Sequence, residues 1–237
     1  MQDIFTEHGF ELSTEELEQF KKFLTLFLEY NAHTNLSAIR DEQGIVEKHF
    51  VDSLYGVSII SPPEKGEPEG VTQKGIPQSV THPNPPLSGR GQPRLLDIGS
   101  GGGFPGIPLK IVNPGLQVTL LDSVGKKVKA MNHFVTELGL ENIHAIQERA
   151  EVLAKSPEHK GQYDFVVSRA TAYMTDILSW AEPFLVKNGK IILYKMPSED
   201  EKRDIAKICN KMKLVLEGEL EYELGGKERI IYVFGRK

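Results

Sequence analysis

Leu95-Leu96-Asp97-Ile98-Gly99-Ser100-Gly101-Gly102-Gly103-Phe104-Pro105-Gly106-Ile107-Pro108 is the stretch that decides the fold. A short apolar run leads directly into four glycines within positions 99–103, a composition that permits positive φ and lets a backbone approach a ligand closely. A small molecule is expected on this loop. Gly101-x-Gly103-x-x-Gly106 satisfies the dinucleotide fingerprint, in which a helix amino terminus receives a pyrophosphate. Asp97 argues the other way. A carboxylate at the strand end repels a pyrophosphate and attracts the ammonium or sulfonium of S-adenosylmethionine, so Asp-x-Gly-x-Gly-x-Gly at 97–103 favours a cationic ligand. Gly125-Lys126-Lys127 lacks both the upstream glycine and the hydroxyl of a P-loop.

Beyond the loop the pattern alternates. Apolar runs at Arg94–Ile98, Gln117–Asp122, 142–147, 163–168 and 190–195 are separated by segments long enough for helices, the signature of parallel βαβ units. A helix over Glu199–Met212 and two closing runs, 214–220 and 229–234, complete the chain. The turn Gly225-Gly226 marks the last two as a hairpin. The expected architecture is α/β, a seven-stranded, mostly parallel, Rossmann-like sheet with its ligand at the carboxyl ends of the strands. The second run ends in Asp122, about twenty residues past the glycines, from where an acid reaches a ribose diol. NAD and S-adenosylmethionine both carry that diol, and Asp122 does not choose between them. It also suits an ordinary helix cap.

Upstream, Leu17, Phe20, Phe23, Leu24, Phe27 and Leu28 recur at helical spacing over 14–31, behind a Ser13-x-x-Glu16 capping box. A polar turn at 31–37 precedes a second helical pattern from about 41 to 60. The expected organisation is a helical cap at 1–60, an insert or linker at 61–93 and a catalytic domain at 94–237. The insert holds eight of the 14 prolines, five glycines and four apolar residues, too few to offset its ordering entropy, and reads as mobile. Asn84-Pro85-Pro86-Leu87 within it lacks the aromatic and the preceding strand of an amino-methylating motif.

Composition narrows the class further. The 237 residues allow one large domain or one with a small appendage, and no apolar run approaches the length of a membrane span. The amino terminus starts acidic with no apolar stretch behind it, so a cytoplasmic, unexported protein is expected. One cysteine, Cys209, excludes an internal disulfide framework and reads as packing in the late helix rather than as a nucleophile. The seven histidines are scattered, and no metal site is expected. A net charge of −5 is not that of a nucleic-acid coat protein, although it leaves room for a local basic patch.

Arg149, Arg169 and Lys195 each fall at or just beyond the carboxyl end of an expected strand, where all three can converge over the cofactor mouth as substrate-positioning groups. Lys126, Lys127 and Lys129 crowd the first turns of a helix whose dipole disfavours them, which suits either a phosphate partner or a solvated face. His49 and Asp52 lie one helical turn apart, suited to docking the cap or to touching RNA.

These motifs resemble one family. Asn31-x-x-x-Asn35-Leu36-Ser37-Ala-Ile-Arg40, His49-Phe-Val-Asp52-Ser53-Leu54, the 99–108 loop, Leu121-Asp122-Ser123, Arg149-Ala150-Glu151, Ser168-Arg169-Ala170 and Lys195 resemble the bacterial 16S ribosomal RNA guanine-N7 methyltransferases. The resemblance spans the cap and the catalytic domain and omits 61–93. It implies a class I S-adenosylmethionine-dependent methyltransferase fold, with Gly99, Phe104, Asp122, Ala150, Glu151 and Arg169 around the cofactor, a set that Asp97, Gly101 and Gly103 join from the loop pattern. The implied target is a guanine of the small ribosomal subunit's 16S RNA, that at position 527 in the usual numbering. Tyr30 stands where the family often has Trp, and Met196-Pro197 follows Lys195 where it has Gly.

Overall fold

A computed structural model describes residues 1–60, 91–169 and 172–236. The expected insert therefore lies, for residues 61–90, outside the described part, as do Asn84-Pro85-Pro86-Leu87 and Ala170. The helices in chain order are α1 (Gln2–Glu7), α2 (Thr14–Thr34), α3 (Glu42–Ile45), a π-helical segment (Val46–Val51), α4 (Asp52–Leu54) and α5 (Val57–Ile60). Then follow β1 (Arg94–Ile98), α6 (Gly106–Val112), β2 (Gln117–Asp122), α7 (Gly125–Glu137), β3 (Ile143–Gln147), α8 (Ala150–Leu153) and β4 (Tyr163–Arg169). The chain closes with α9 (Met174–Ala181), β5 (Leu185–Lys195), α10 (Glu199–Met212), β6 (Leu214–Leu224) and β7 (Lys227–Arg236).

The seven strands form one sheet in the order β3-β2-β1-β4-β5-β7-β6. The first five pair in parallel, and β7 runs antiparallel to both β5 and β6, as the Gly225-Gly226 hairpin predicts. The chain winds outward from β1 to β3, then returns to the other side of β1 with β4. That reversal opens a crevice at the carboxyl ends of β1 and β4.

Strict alternation divides the strand residues between two cores. Leu95, Ile192, Tyr194, Ile231 and Val233 join the core under α2, α6, α7 and the helices of residues 1–60. Leu96, Ile191, Leu193, Ile230 and Phe234 join the one under α8, α9 and α10. Asp97 is on the first face, two residues from Leu95. The amino-terminal helices thus share a core with the sheet.

The contact is largely aromatic. Phe23 stacks on Phe50 at 5.2 Å and meets Phe134 of α7 at 5.5 Å, while Phe27 meets Phe104 of the glycine loop at 5.1 Å. α2 begins where its sequence says it should: Ser13 and Glu16 exchange both bonds of a capping box. It ends on Asn35 in the left-handed region, φ 52°. Among the described residues no helix is long and apolar enough to cross a membrane.

Candidate active site

The glycine loop is held from below. Gly99 and Ser100 donate their N–H groups to Leu121 O, and the Ser100 hydroxyl donates to Asp97 O while accepting from Leu121 N–H at 3.1 Å. Gly101, at φ 60°, is where glycine matters most. A Cβ there would meet nothing closer than Gly99 O at 3.9 Å, so the backbone faces open space with the bareness a ligand cradle needs. Gly106 is glycine for the opposite reason: a Cβ would lie 2.3 Å from Leu120 and 2.9 Å from Asp97.

Asp97 sits beneath this loop rather than at its open side. It is fully buried; Oδ2 accepts from Gly106 N–H at 2.9 Å, and Oδ1 has no partner among the described residues. Burial pushes its pKa up to about 7, against the pull of the Gly106 and Ser100 bonds and the Arg169 charge. An acceptor left without a donor in this position suits a cation seated on the loop above. Asp122, at the end of the next strand, accepts from Gly101 N–H at 3.0 Å and from Val124 N–H at 2.9 Å, with the Lys127 ammonium at 3.7 Å. The Val124 bond is a local turn of the Asx type, not a helix N-cap. A carboxylate so placed ties the loop to β2 and retains lone pairs for a diol.

The third parallel end carries Arg149, Ala150 and Glu151, just past Gln147, which pairs with Asp122. Ala150 is buried, whereas Arg149 and Glu151 are exposed. Phe104 is 4% exposed, with its ring turned into the aromatic cluster and stacked on His49 at 4.7 Å. Its side chain docks the amino-terminal helices onto the loop.

A pocket of about 600 Å³ opens on the other side of the switch point. Its wall includes Lys48, His49, Asp52, Arg169, Lys195 and Arg229. Of the three proposed substrate-positioning residues, Arg169 and Lys195 meet here; Arg149 follows β3 at the far edge of the sheet and lines none of it. The expected convergence of all three therefore fails, because β2 and β1 separate β3 from β4.

Neither of the two cations is free. Arg169 donates to Asp52 Oδ2 at 3.0 Å, to Lys48 O at 3.1 Å and to His49 Nδ1 at 3.0 Å, with its guanidinium 5.3 Å from the centre of the Phe104 ring. Lys195 donates to Ala172 O at 2.8 Å and pairs with Glu201 at 2.8 Å. His49 and Asp52 thus dock the cap onto β4. His49 accepts from Arg169 on Nδ1, so the hydrogen on its Nε2 faces Ser37 Oγ at 2.7 Å. Burial first, then the Arg169 charge, lowers its pKa to about 3, which leaves the ring neutral.

The expected turn at 31–37 starts only at Asn35, because α2 runs on to Thr34, and the segment after it supplies that Ser37. Asn31 is 2% exposed, accepts from Ser37 N–H at 2.9 Å and donates to Ile39 O at 3.0 Å, fixing the turn by its own side chain. Wall residues that escaped sequence reasoning include Tyr222, which donates to Asp52 Oδ1 at 2.7 Å, Glu201, and Tyr173, as well as Lys48 and Arg229. No local signal marks the first two, since they reach the site only through strand order. The lysines at 126 and 129 are exposed, while Lys127 faces Asp122.

The family model for the rRNA small subunit methyltransferase G family matches residues 64–221. The chain belongs to the rRNA small subunit methyltransferase G family. A ribosomal RNA small subunit methyltransferase G of Streptococcus pyogenes serotype M5 is 35% identical over 234 residues, covering 98% of this chain and 87% of that protein. Another, from serotype M12 strain MGAS9429, is 34% identical with the same coverage. Among solved structures, TrmN from Thermus thermophilus superimposes with a TM-score of 0.50 at 18% identity, over 62% of this chain and 45% of that one, a likeness of fold. The protein is accordingly a methyltransferase of class I architecture, and its cofactor is S-adenosylmethionine.

The loop fits that cofactor: an open glycine backbone, a buried carboxylate oxygen without a donor among the described residues, and the Asp122 carboxylate bonded to Gly101 beside it. Asp122→Ala is expected to weaken cofactor binding by about 1–3 kcal/mol, through lost hydrogen bonds to a charged partner and a freed Gly101. Titration calorimetry checks this, and unchanged affinity would remove Asp122 from the site.

Proposed function

We propose that the protein transfers the methyl group of S-adenosylmethionine to N7 of a guanine in small-subunit ribosomal RNA, in the cytoplasm, with residues 1–60 capping a catalytic unit at 94–237. The observation that carries this reading is the pocket at the switch point. Lys48, Arg169, Lys195 and Arg229 line it against only Asp52 and Glu201, a local excess of positive charge on a chain whose net charge is −5. Such a wall suits a polyanion, and a 600 Å³ volume admits a nucleotide.

When bound, the cofactor supplies an electrophilic methyl on a sulfonium. Guanine N7 presents an in-plane lone pair and has no proton to lose, so the protein's task is alignment rather than base catalysis. The site is built accordingly. His49 is neutral but bonded through both ring nitrogens, and both Asp52 oxygens and Lys195 are occupied by protein partners. In this reading Gly99, Gly101, Gly103 and Asp122 hold the cofactor, with Ala150 and Glu151 along its adenosine side. Arg169 and Lys195 position the substrate by fixing the walls of the pocket rather than by grasping the nucleotide themselves.

Incubation with methyl-labelled S-adenosylmethionine and unmodified small-subunit RNA, naked or assembled, tests the reading. Label is expected in RNA, with a yield that falls steeply as salt rises. Label confined to a protein or a small molecule would contradict it.

A further inference from the structure

Tyr173 is 76% exposed and Met196 52%, the two most exposed large apolar side chains among the described residues, and both line the pocket that holds Arg169 and Lys195. An aromatic ring left in water needs a reason, and here the backbone around it is immobilised. Ala172 O, immediately before it, accepts from the Lys195 ammonium at 2.8 Å. Met174 N–H, immediately after it, donates to Glu201 Oε1 at 2.9 Å. Lys195 and Glu201 are themselves paired at 2.8 Å, each with 12% of its side chain exposed. One buried ion pair therefore clamps the residues on both sides of Tyr173, while its own ring remains uncovered. In the same wall Arg229 Nε is buried with no acceptor among the described residues, so the pocket also lacks a polar partner.

We propose that Tyr173 is the stacking platform for the purine ring of the target nucleotide. The inference rests on the proposed RNA substrate and deepens it. A flipped-out base offers a flat π-face, and proteins receive unpaired bases on aromatic side chains. Stacking by the face also leaves the N7 edge unobstructed. An Arg bonded bidentately to O6 and N7 would mask the nucleophile. The Lys195–Glu201 pair then acts through Tyr173, as a positioning element that presents the ring at a set place beside the carboxyl ends of β4 and β5.

The test is steady-state methyl transfer to unmodified small-subunit RNA by the parent protein, Tyr173→Ala and Tyr173→Phe, with S-adenosylmethionine affinity and thermal midpoint measured on each. Tyr173→Ala is expected to lower kcat/KM for RNA roughly 10- to 100-fold, the range set by one lost stacking contact, with cofactor affinity and midpoint unchanged. Tyr173→Phe keeps the ring and is expected to recover the rate to within about threefold. Parent-like turnover by Tyr173→Ala would overturn the proposal. So would an equally slow Tyr173→Phe, which would assign the effect to the hydroxyl. Loss of cofactor affinity or thermal midpoint in Tyr173→Ala would instead make the residue structural. A parent protein that labels no RNA would fail the proposed function itself, and the platform with it.

Discussion

Arg169→Ala is expected to destabilise the protein by about 3–5 kcal/mol, the cost of stranding one member of a buried ion pair. Arg169 and Asp52 have side chains 13% and 8% exposed and lie 3.0 Å apart. The same guanidinium serves Lys48 O and His49 Nδ1. Its removal leaves Asp52 with Tyr222 as its hydrogen-bond donor, and leaves open the carbonyls that the π-helical turn directs towards β4. Asp52→Ala should cost a similar amount, because the buried arginine is then unpaired. The double variant should cost clearly less than the sum of the two, since no isolated charge remains.

Urea denaturation of the four proteins supplies the cycle. Arg169→Lys should fall in between, as an ammonium cannot span the same planar set of acceptors. The His49 resonance gives a second readout. Arg169 is one of the two causes that lower its pKa to about 3, so the pKa should move upward in Arg169→Ala. A loss below about 1 kcal/mol, with additive double-variant behaviour, would mean that the cap does not depend on this latch.

Asp97→Asn should separate cofactor binding from stability. A carboxyl whose folded pKa is raised from 3.8 to about 7 costs stability as pH climbs through that window, because the unfolded chain releases its proton first. Asparagine preserves the acceptor for Gly106 N–H and carries no charge to desolvate. Without cofactor, Asp97→Asn should therefore be at least as stable as the parent at about pH 8, with the advantage shrinking towards about pH 4.

Binding should move the other way. The cation on the loop is attracted to ionised Asp97, so the variant should bind S-adenosylmethionine roughly 10- to 100-fold more weakly. In the parent, affinity should decline as pH falls below about 7, where part of the binding energy goes into removing the proton. The variant should lack that dependence. Thermal melts and calorimetry across pH check both halves. Undiminished cofactor affinity in Asp97→Asn would reduce Asp97 to an anchor for Gly106.

Much of this was legible in the sequence, for a physical reason. Strands buried on both faces read as apolar runs, so Arg94–Ile98 and Gln117–Asp122 match their expected limits. β5 begins at Leu185, five residues before the expected 190, because the exposed Lys187 and Asn188 break the apolar run without breaking the strand. α1 went unread, since only Phe5 of its six residues is buried. The π-helical turn at Val46–Val51 has no compositional mark, yet it sits where the cap meets Arg169.

The proposed cofactor side is local in the chain, and the glycines with Asp97 and Asp122 are read from spacing alone. The proposed substrate side is not. Asp52 and Arg169 are 117 positions apart, and Asp52 and Tyr222 are 170 apart. Strand order brings them together, and sequence reading therefore named Arg169 and Lys195 as substrate-positioning residues without seeing their protein partners. In the structure the two pair with Asp52 and Glu201 in the pocket wall.

The most direct measurement is to methylate unmodified small ribosomal subunits with labelled cofactor and map the product by cleavage chemistry selective for N7-methylguanine. The account predicts one labelled guanine in the small-subunit RNA, cleaved at that position alone and absent when Arg169→Ala replaces the parent. Label that resists this chemistry, or that resides outside the RNA while cofactor binding is intact, would contradict it.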